Sequence, residues 1–120
     1  MSNHIMIVDD DRTITSLLQM LLELDGFTVS VVALGGQVIP TLEANCPNAI
    51  LMDVHLADGN GIDVLKAIRA HAQFSALPVI MSSGMDVEDQ CRDAGATDFI
   101  LKPYPPDQLS AMLLKTVSTG

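Results

Sequence analysis

The hydrophobic positions of the chain fall into five short runs at fairly even spacing. Most of these runs are continuous rather than alternating, which is typical of strands that are buried on both faces, as in a parallel sheet covered by helices. The pattern therefore predicts five strands, at residues 5–8, 29–32, 49–52, 79–81 and 99–101.

The segments between these runs have the apolar spacing of helices. The first has an i, i+3, i+4, i+7 stripe, which predicts a helix with one buried face. The stripe consists of Ile14, Leu17, Leu18 and Leu21. Four more helices are predicted, at about residues 36–45, from the candidate N-cap Asn60 to Ile68, at about residues 86–94, and after Pro105-Pro106 as far as Val117.

Strands and helices thus alternate five times. This alternation predicts an α/β fold, a doubly wound parallel sheet with helices on both faces. The length of 120 residues suits one domain, which we expect to span residues 1–120. Apolar residues make up 48% of the chain and aromatic residues only 3%, so aliphatic side chains must fill the core.

Net charge and cysteine content indicate which ligands and which cellular compartment are compatible with the chain. A net charge of −9 disfavours direct binding to nucleic acid or to an anionic membrane, because both select for lysine and arginine. Cys46 and Cys91 lie outside any C-x-x-C pair, which favours two buried, reduced thiols. The sequence starts without a basic leader and has no apolar run approaching about 18 residues, so we expect a cytoplasmic protein.

Polar residues that carry chemistry follow four of the five predicted strands. Ligands bind outside the carboxyl ends of the strands in an open parallel sheet, so these residues are expected to share one edge. They are Asp9, Asp10 and Asp11 after the first strand, Asp53 after the third, Ser82 and Ser83 after the fourth, and Lys102 after the fifth. Taken alone, each of these residues could be a helix cap, a loop residue or a solvated lysine. Their joint occurrence at the ends of four strands is poorly explained by chance.

The residue types in this set indicate phosphate chemistry. Gathered carboxylates repel one another unless a cation joins them, and their oxygens suit Mg²⁺, with Mn²⁺ as the alternative. An aspartate can itself be a nucleophile and form an aspartyl phosphate. Lys102 and the Ser83 hydroxyl would then contact the phosphoryl oxygens.

Four segments of the chain resemble bacterial two-component response-regulator receiver domains of the chemotaxis-regulator type. They are IMIVDDD at 5–11, LMD at 51–53, PVIMSSG at 78–84 and DFILKPY at 98–104. The acidic pair, the lone aspartate and the Lys-Pro pair are jointly specific, and the resemblance covers nearly the whole chain. It implies the flavodoxin-like strand order 2-1-3-4-5.

The resemblance implies a role for each residue of the expected site. Asp53 is the expected phosphoacceptor, and Lys102 is expected to pair with the phosphoryl group. The expected metal ligands are Asp9, Asp10, Asp53 and the backbone carbonyl of His55. The donor would be a phosphohistidine on a histidine kinase or a histidine phosphotransfer protein.

A second group of residues is expected to pass the signal on. Ser83 resembles the hydroxyl that moves to the phosphoryl group, and Phe99 resembles the aromatic side chain that swings inward with it. The Lys102–Pro103 bond is expected to be cis. The recipient would be an output domain or a target protein, with a homodimer left open. Such a chain is a switch and not an enzyme, catalysing only its own phosphoryl transfer and slow dephosphorylation.

The sequence also departs from the pattern of the family. Ala57 stands where many members have proline and Asn60 where many have aspartate, whereas Gly61 is retained. The stretch at 83–95 is shorter than in many relatives, which predicts a short or irregular fourth helix. Met85 has only a weakly accepting sulfur to orient an attacking water, so we expect slow self-dephosphorylation.

Three alternatives compete with this interpretation. A haloacid-dehalogenase-type phosphatase also uses a strand-end aspartate, but it needs a second aspartate where this chain has His55. A nucleotide- or flavin-binding domain would carry a glycine-rich phosphate loop, and the pair Gly35-Gly36 alone is weak support for one. The third alternative is a receiver fold that serves only for protein interaction and is never phosphorylated.

Overall fold

The computed structural model describes residues 3–119 and contains the predicted parallel sheet. Its strands are β1 His4–Val8, β2 Thr28–Val32, β3 Ala49–Asp53, β4 Val79–Ser83 and β5 Asp98–Leu101. They lie in the order β2-β1-β3-β4-β5, and every neighbouring pair is parallel. The α/β fold and the strand order 2-1-3-4-5 are therefore confirmed, with β3 at the centre of the sheet.

Five α-helices connect and flank the strands. They are α1 Arg12–Leu24, α2 Val38–Ala44, α3 Gly61–Ala70, α4 Glu88–Asp93 and α5 Pro106–Thr119. A 3₁₀ turn at Gly35–Gln37 precedes α2. The fourth helix has only six residues, as the shortened sequence there predicts. None of the described helices is both long and apolar enough to cross a membrane.

The core forms one layer on each face of the sheet. Successive strand residues point to opposite faces, so Met6 and Val8 enter one layer while Ile5 and Ile7 enter the other. The first layer holds the buried residues of α2, α3 and α4, and the second those of α1 and α5. The sheet is thus covered on both faces, which explains why most of its strands are continuous apolar runs.

The buried face of α1 differs from the predicted one. Thr15, Leu18 and Leu22 are buried, whereas the side chains of Ile14 and Leu17 are exposed to solvent. The first helix is apolar over more than one face, so periodicity alone did not determine which face meets the sheet.

The two cysteines also differ from each other. Cys91, in α4, is buried and reduced as predicted, but Cys46 is exposed, so the prediction of two buried thiols was wrong for Cys46. Cys46 lies just after the C-cap of α2, in the short loop before β3, where the chain runs over the surface.

Candidate functional site

The carboxyl ends of four strands bring the predicted site residues to one edge of the sheet. Asp9 directly follows β1, and Lys102 directly follows β5. Asp53 and Ser83 are the last residues of β3 and β4. Because β3 lies between β1 and β4, Asp53 sits at the centre of the group.

Three carboxylates come together at this edge. Asp9, Asp10 and Asp53 each offer an oxygen atom within 4.8 Å of the others. Asp9 is buried, and its Oδ1 accepts a hydrogen bond from the backbone N–H of Asp11 at 3.0 Å. Asp53 Oδ1 accepts one from the His55 N–H at 3.3 Å. Asp10 is exposed and forms no hydrogen bond or ion pair with the described residues, so its carboxylate is available to a ligand.

Lys102 bridges two of these carboxylates. Its Nζ lies 3.2 Å from Asp9 Oδ2 and 3.3 Å from Asp53 Oδ2, and its side chain is 24% exposed. Burial lowers the pKa of Lys102, but the charges and hydrogen bonds of Asp9 and Asp53 outweigh burial and raise it above the ordinary value. The lysine is therefore protonated at neutral pH.

The donor set of the site fits a small divalent cation. Three carboxylates and one ammonium group leave a local charge of −2, which a divalent ion neutralises. Mg²⁺ prefers oxygen ligands and is usually held by one or two carboxylates with waters and phosphate oxygens. The acidic triad agrees with the Mg²⁺ site that the resemblance to receiver domains implies.

Asp11 has a different role from the other two aspartates of its run. Its Oδ1 accepts hydrogen bonds from the backbone N–H groups of Thr13 and Ile14, at 3.1 and 3.2 Å. Asp11 is therefore the N-cap of α1. The cap fixes the start of α1 directly after Asp9 and Asp10 and so holds the β1–α1 turn in place.

The segment that follows Asp53 is packed closely against it. Residues His55–Leu56 and Gly59–Asn60 pair as a small antiparallel hairpin, called here the β3–α3 hairpin. Gly61 closes its base, since the Gly61 N–H donates to Val54 O at 2.6 Å. A Cβ atom on Gly61 would overlap the carbonyl oxygen of Asp53, so only glycine fits there.

The expected switch residues lie on the next two strands. Ser83 is fully buried, and its Oγ accepts a hydrogen bond from the Met85 N–H at 3.1 Å. The Phe99 side chain is buried among the core residues on the α2–α3–α4 face. The backbone N–H of Lys102 donates to Ser83 O at 2.8 Å, and the Lys102–Pro103 bond is cis, as predicted.

One residue at this edge was missed by the sequence interpretation. Asp58, in the turn of the β3–α3 hairpin, accepts hydrogen bonds from the backbone N–H groups of Gly35 and Gly36, at 2.8 and 3.0 Å. The sequence feature that could have indicated this contact is the Gly35-Gly36 pair. The pair is weak support for a nucleotide loop, but it suits the close approach of a carboxylate.

Comparison with known proteins identifies the family of the chain. The family model described as "Response regulator receiver domain" matches residues 5–114. The transcriptional regulatory protein CpxR of Escherichia coli K12 is 40% identical over 114 residues, which cover 92% of this chain and 47% of CpxR. The chain thus spans about half the length of this curated relative.

Two solved structures share the fold over almost their full length. The CheY-like receiver domain protein of Methanospirillum hungatei JF-1 is 28% identical, with a TM-score of 0.89 over 99% of this chain and 96% of that one. The BeF₃-activated receiver domain of RstA from Klebsiella pneumoniae is 25% identical, with a TM-score of 0.87 over 96% and 98%. The chain belongs to the response regulator receiver domain family, the phosphoacceptor switches of two-component signal transduction.

Proposed function

We propose that Asp53 is the residue of this receiver domain that accepts the phosphoryl group. The observation that carries the assignment is its central position: it contacts Lys102 and lies within 4.8 Å of the other two carboxylates. Asp9 also contacts Lys102, but it follows β1, to one side of the central strand, and its side chain is more buried than that of Asp53, at 8% against 13% exposed, so Asp9 is suited to holding the site together.

The transfer is a displacement at phosphorus. A carboxylate oxygen of Asp53 forms the new P–O bond while the P–N bond of a donor phosphohistidine breaks, and the electron pair of that bond stays on the imidazole nitrogen. Lys102 pairs with a phosphoryl oxygen in the product. Positioning and charge neutralisation account for most of the catalysis in phosphoryl transfer.

The metal in this proposal is Mg²⁺, with Mn²⁺ as the alternative. Asp9, Asp10, Asp53 and the backbone carbonyl of His55 would hold it. When bound, the ion neutralises charge on the phosphoryl oxygens. Without it, the incoming phosphoryl group would add nearly two negative charges to a site that already carries a net negative charge.

Ser83 and Phe99 are proposed as the switch. The Ser83 hydroxyl would give up the hydrogen bond that it accepts from the Met85 N–H. It would instead donate a charge-assisted hydrogen bond to a phosphoryl oxygen. That bond exists only in the phosphorylated state, so it can shift the balance between two conformations. Phe99, already buried beside β4, would repack into the space that Ser83 leaves.

The partner protein is a histidine kinase or a histidine phosphotransfer protein, and we propose that it docks on α1. A groove of about 240 Å³ beside the site is lined by Ile14, Leu17, Tyr104 and Lys102, among others. The phosphohistidine must reach Asp53, and this apolar surface borders the same lysine that contacts Asp53. We expect Leu17→Glu to slow transfer from a phosphorylated kinase that labels the wild-type chain but not labelling by acetyl phosphate.

We propose that the signal reaches an output domain or a target protein in the cytoplasm. A homodimer of this chain is one assembly that could carry it. CpxR is a transcriptional regulatory protein, and this chain matches about half of it. Direct contact with nucleic acid or a membrane is not expected of these 120 residues, because they carry a net charge of −9.

Labelling with acetyl phosphate and Mg²⁺ tests the assignment. We expect the wild-type chain to be labelled and Asp53→Asn to remain unlabelled, while Asp63→Asn, which removes the same charge from the exposed first turn of α3, is labelled normally. Unchanged labelling of Asp53→Asn would reject Asp53 as the acceptor.

The lifetime of the label is a separate prediction. Because the Met85 side chain is exposed and a poor hydrogen-bond acceptor, we expect the phosphoryl group to be lost slowly, and a half-life of seconds would contradict this.

A further inference from the structure

The clearest feature outside the assigned site is the contact between two loops made by Asp58. Both of its carboxylate oxygens are used, one on the N–H of Gly35 and one on the N–H of Gly36. These N–H groups open the 3₁₀ turn before α2, whose own N-cap residue, Leu34, makes no side-chain cap hydrogen bond. Asp58 therefore supplies from another loop the acceptor that this turn lacks.

The sequence at the contact leaves room for the carboxylate. A Cβ atom on Gly35 would lie 2.9 Å from Val64 Cγ2 and 3.4 Å from Asp58 Oδ1. A Cβ atom on Gly36 would lie 3.5 Å from Asp58 Oδ2. The Cβ atom on Gly35 would crowd the Val64 side chain of α3, whereas the one on Gly36 would make only ordinary van der Waals contact, so Gly35 is the position at which the packing around Asp58 favours glycine.

The contact holds the tip of the β3–α3 hairpin, whose base is already fixed. At the base, Gly61 N–H donates to Val54 O, and Gly61 itself packs against the backbone of Asp53. At the tip, Asp58 ties the turn to a segment 22 residues away in sequence. His55 lies on the first strand of this hairpin, so its backbone carbonyl is oriented by a segment held at both ends.

We propose that Asp58 is a positioning residue for metal binding, because its contact with Gly35 and Gly36 holds the His55 carbonyl in place. The inference rests on the metal site proposed above. Metal ligands are generally oriented by neighbouring hydrogen bonds, and losing such a partner weakens metal affinity by about 10- to 100-fold. Asp58 differs in acting through a whole hairpin, so we expect the lower end of that range.

The ionisation of Asp58 agrees with this role. The hydrogen bonds from Gly36 and Gly35 lower the pKa of the Asp58 carboxyl group below its usual value. The carboxylate that accepts both hydrogen bonds therefore persists through the neutral and mildly acidic range.

Calorimetric titration of the full chain with Mg²⁺ alone tests the proposal. We expect Asp58→Ala, which removes both acceptors, to weaken Mg²⁺ affinity by about ten-fold, and Asp58→Asn, which retains one acceptor, to weaken it less. Asp63→Asn is the matched control, since Asp63 lines the same groove as Asp58 and its substitution removes the same charge without touching the glycines. The control is expected to change the affinity little.

The possible results separate this inference from the proposed function. If the wild-type chain binds Mg²⁺ and Asp10→Asn weakens binding, the metal site is correct. Equal affinities for Asp58→Ala and Asp63→Asn would then overturn the role of Asp58 alone. If Asp58→Ala does not fold, hydrogen exchange of the wild-type chain decides. Mg²⁺ should slow exchange of the Gly35 and Gly36 amides, because coupling between two sites is reciprocal, and unchanged exchange would overturn the proposal.

Discussion

Two loops at the functional edge of the sheet are held in different ways. The segment after β3 is tied to distant parts of the chain: Asp58 contacts Gly35 and Gly36, 23 and 22 residues away. The segment after β4, residues 84–87, forms hydrogen bonds mainly with its immediate neighbours, such as Met85 N–H to Ser83 Oγ. Its helix, α4, is six residues long and begins without a side-chain cap.

This difference matches the two tasks of a receiver domain. The side that binds metal gains from a fixed geometry, because ligands that are already in place need no ordering on binding. The side that switches must have two arrangements of similar free energy, and a segment bonded mainly to itself can move without breaking distant contacts. We therefore expect substitutions after β3 to affect stability and metal binding, and substitutions after β4 to affect switching.

The largest expected effect compares one glycine from each loop. Gly61→Ala places a methyl group against the Asp53 carbonyl, so we expect a loss of about 3 kcal/mol in the free energy of unfolding, the upper part of the usual range for overpacking. A methyl group on Gly84 would meet no atom within 4 Å, so Gly84→Ala is expected to change stability by less than about 1 kcal/mol. Urea denaturation measures both. Equal losses would contradict the contrast between the loops.

The next effect concerns Lys102, which joins the two sides of the site. Lys102→Met leaves the buried Asp9 and the half-buried Asp53 without their cation, and we expect a loss of about 2 kcal/mol in metal-free buffer. Added Mg²⁺ should recover part of it. Urea denaturation with and without Mg²⁺ measures this, and a Lys102→Met chain as stable as the wild type in metal-free buffer would show that the ion pairs contribute nothing.

The pH dependence of the same variant follows from the raised pKa of Lys102. A group whose pKa is raised by folding contributes its full stability below its unfolded pKa, so the difference between wild type and Lys102→Met should be constant through the neutral range. The difference should shrink as the pH rises above about 10.5, the ordinary lysine pKa. A difference that disappears between neutral pH and pH 9 would rule out this explanation.

A smaller effect on stability, with a larger effect on switching, is expected for Ser83→Ala. The substitution removes one buried hydrogen bond to Met85 N–H, which contributes about 1 kcal/mol. Upon addition of beryllofluoride, amide resonances of the wild type should shift both at the β3–α3 hairpin and at residues 84–101. In Ser83→Ala the shifts at 84–101 should largely disappear while those at the hairpin persist. Shifts of wild-type size at 84–101 would show that the hydroxyl does not drive the switch.

The fold was largely predictable from the sequence, because buried parallel strands leave a clear signal. All five apolar runs became strands, and β1, β3 and β4 are buried at nearly every position because helices cover both of their faces, whereas the edge strand β2 is only partly buried. The orientation of α1 was not predictable, because apolar residues surround much of that helix. Only packing shows that Thr15 and Leu22 face the sheet and Leu17 faces solvent.

The site was predictable as far as its residues follow strand ends. Asp9, Asp53 and Lys102 meet because parallel strands end at the same edge, which sequence order alone implies. Asp58 could not be assigned in the same way, because its partners Gly35 and Gly36 belong to another loop and the contact depends on how the two loops approach. Sequence patterns record strand ends better than they record contacts between loops.

The position of the phosphoryl group tests the central claim most directly. The wild-type chain is labelled with acetyl phosphate and Mg²⁺ and then treated with borohydride, which reduces an aspartyl phosphate to homoserine. Peptide mass spectrometry then locates the homoserine. We expect it at position 53 and at no other aspartate. Homoserine at Asp9 or Asp10, or a labelled chain without homoserine at position 53, would contradict the assignment of Asp53 as the phosphoacceptor.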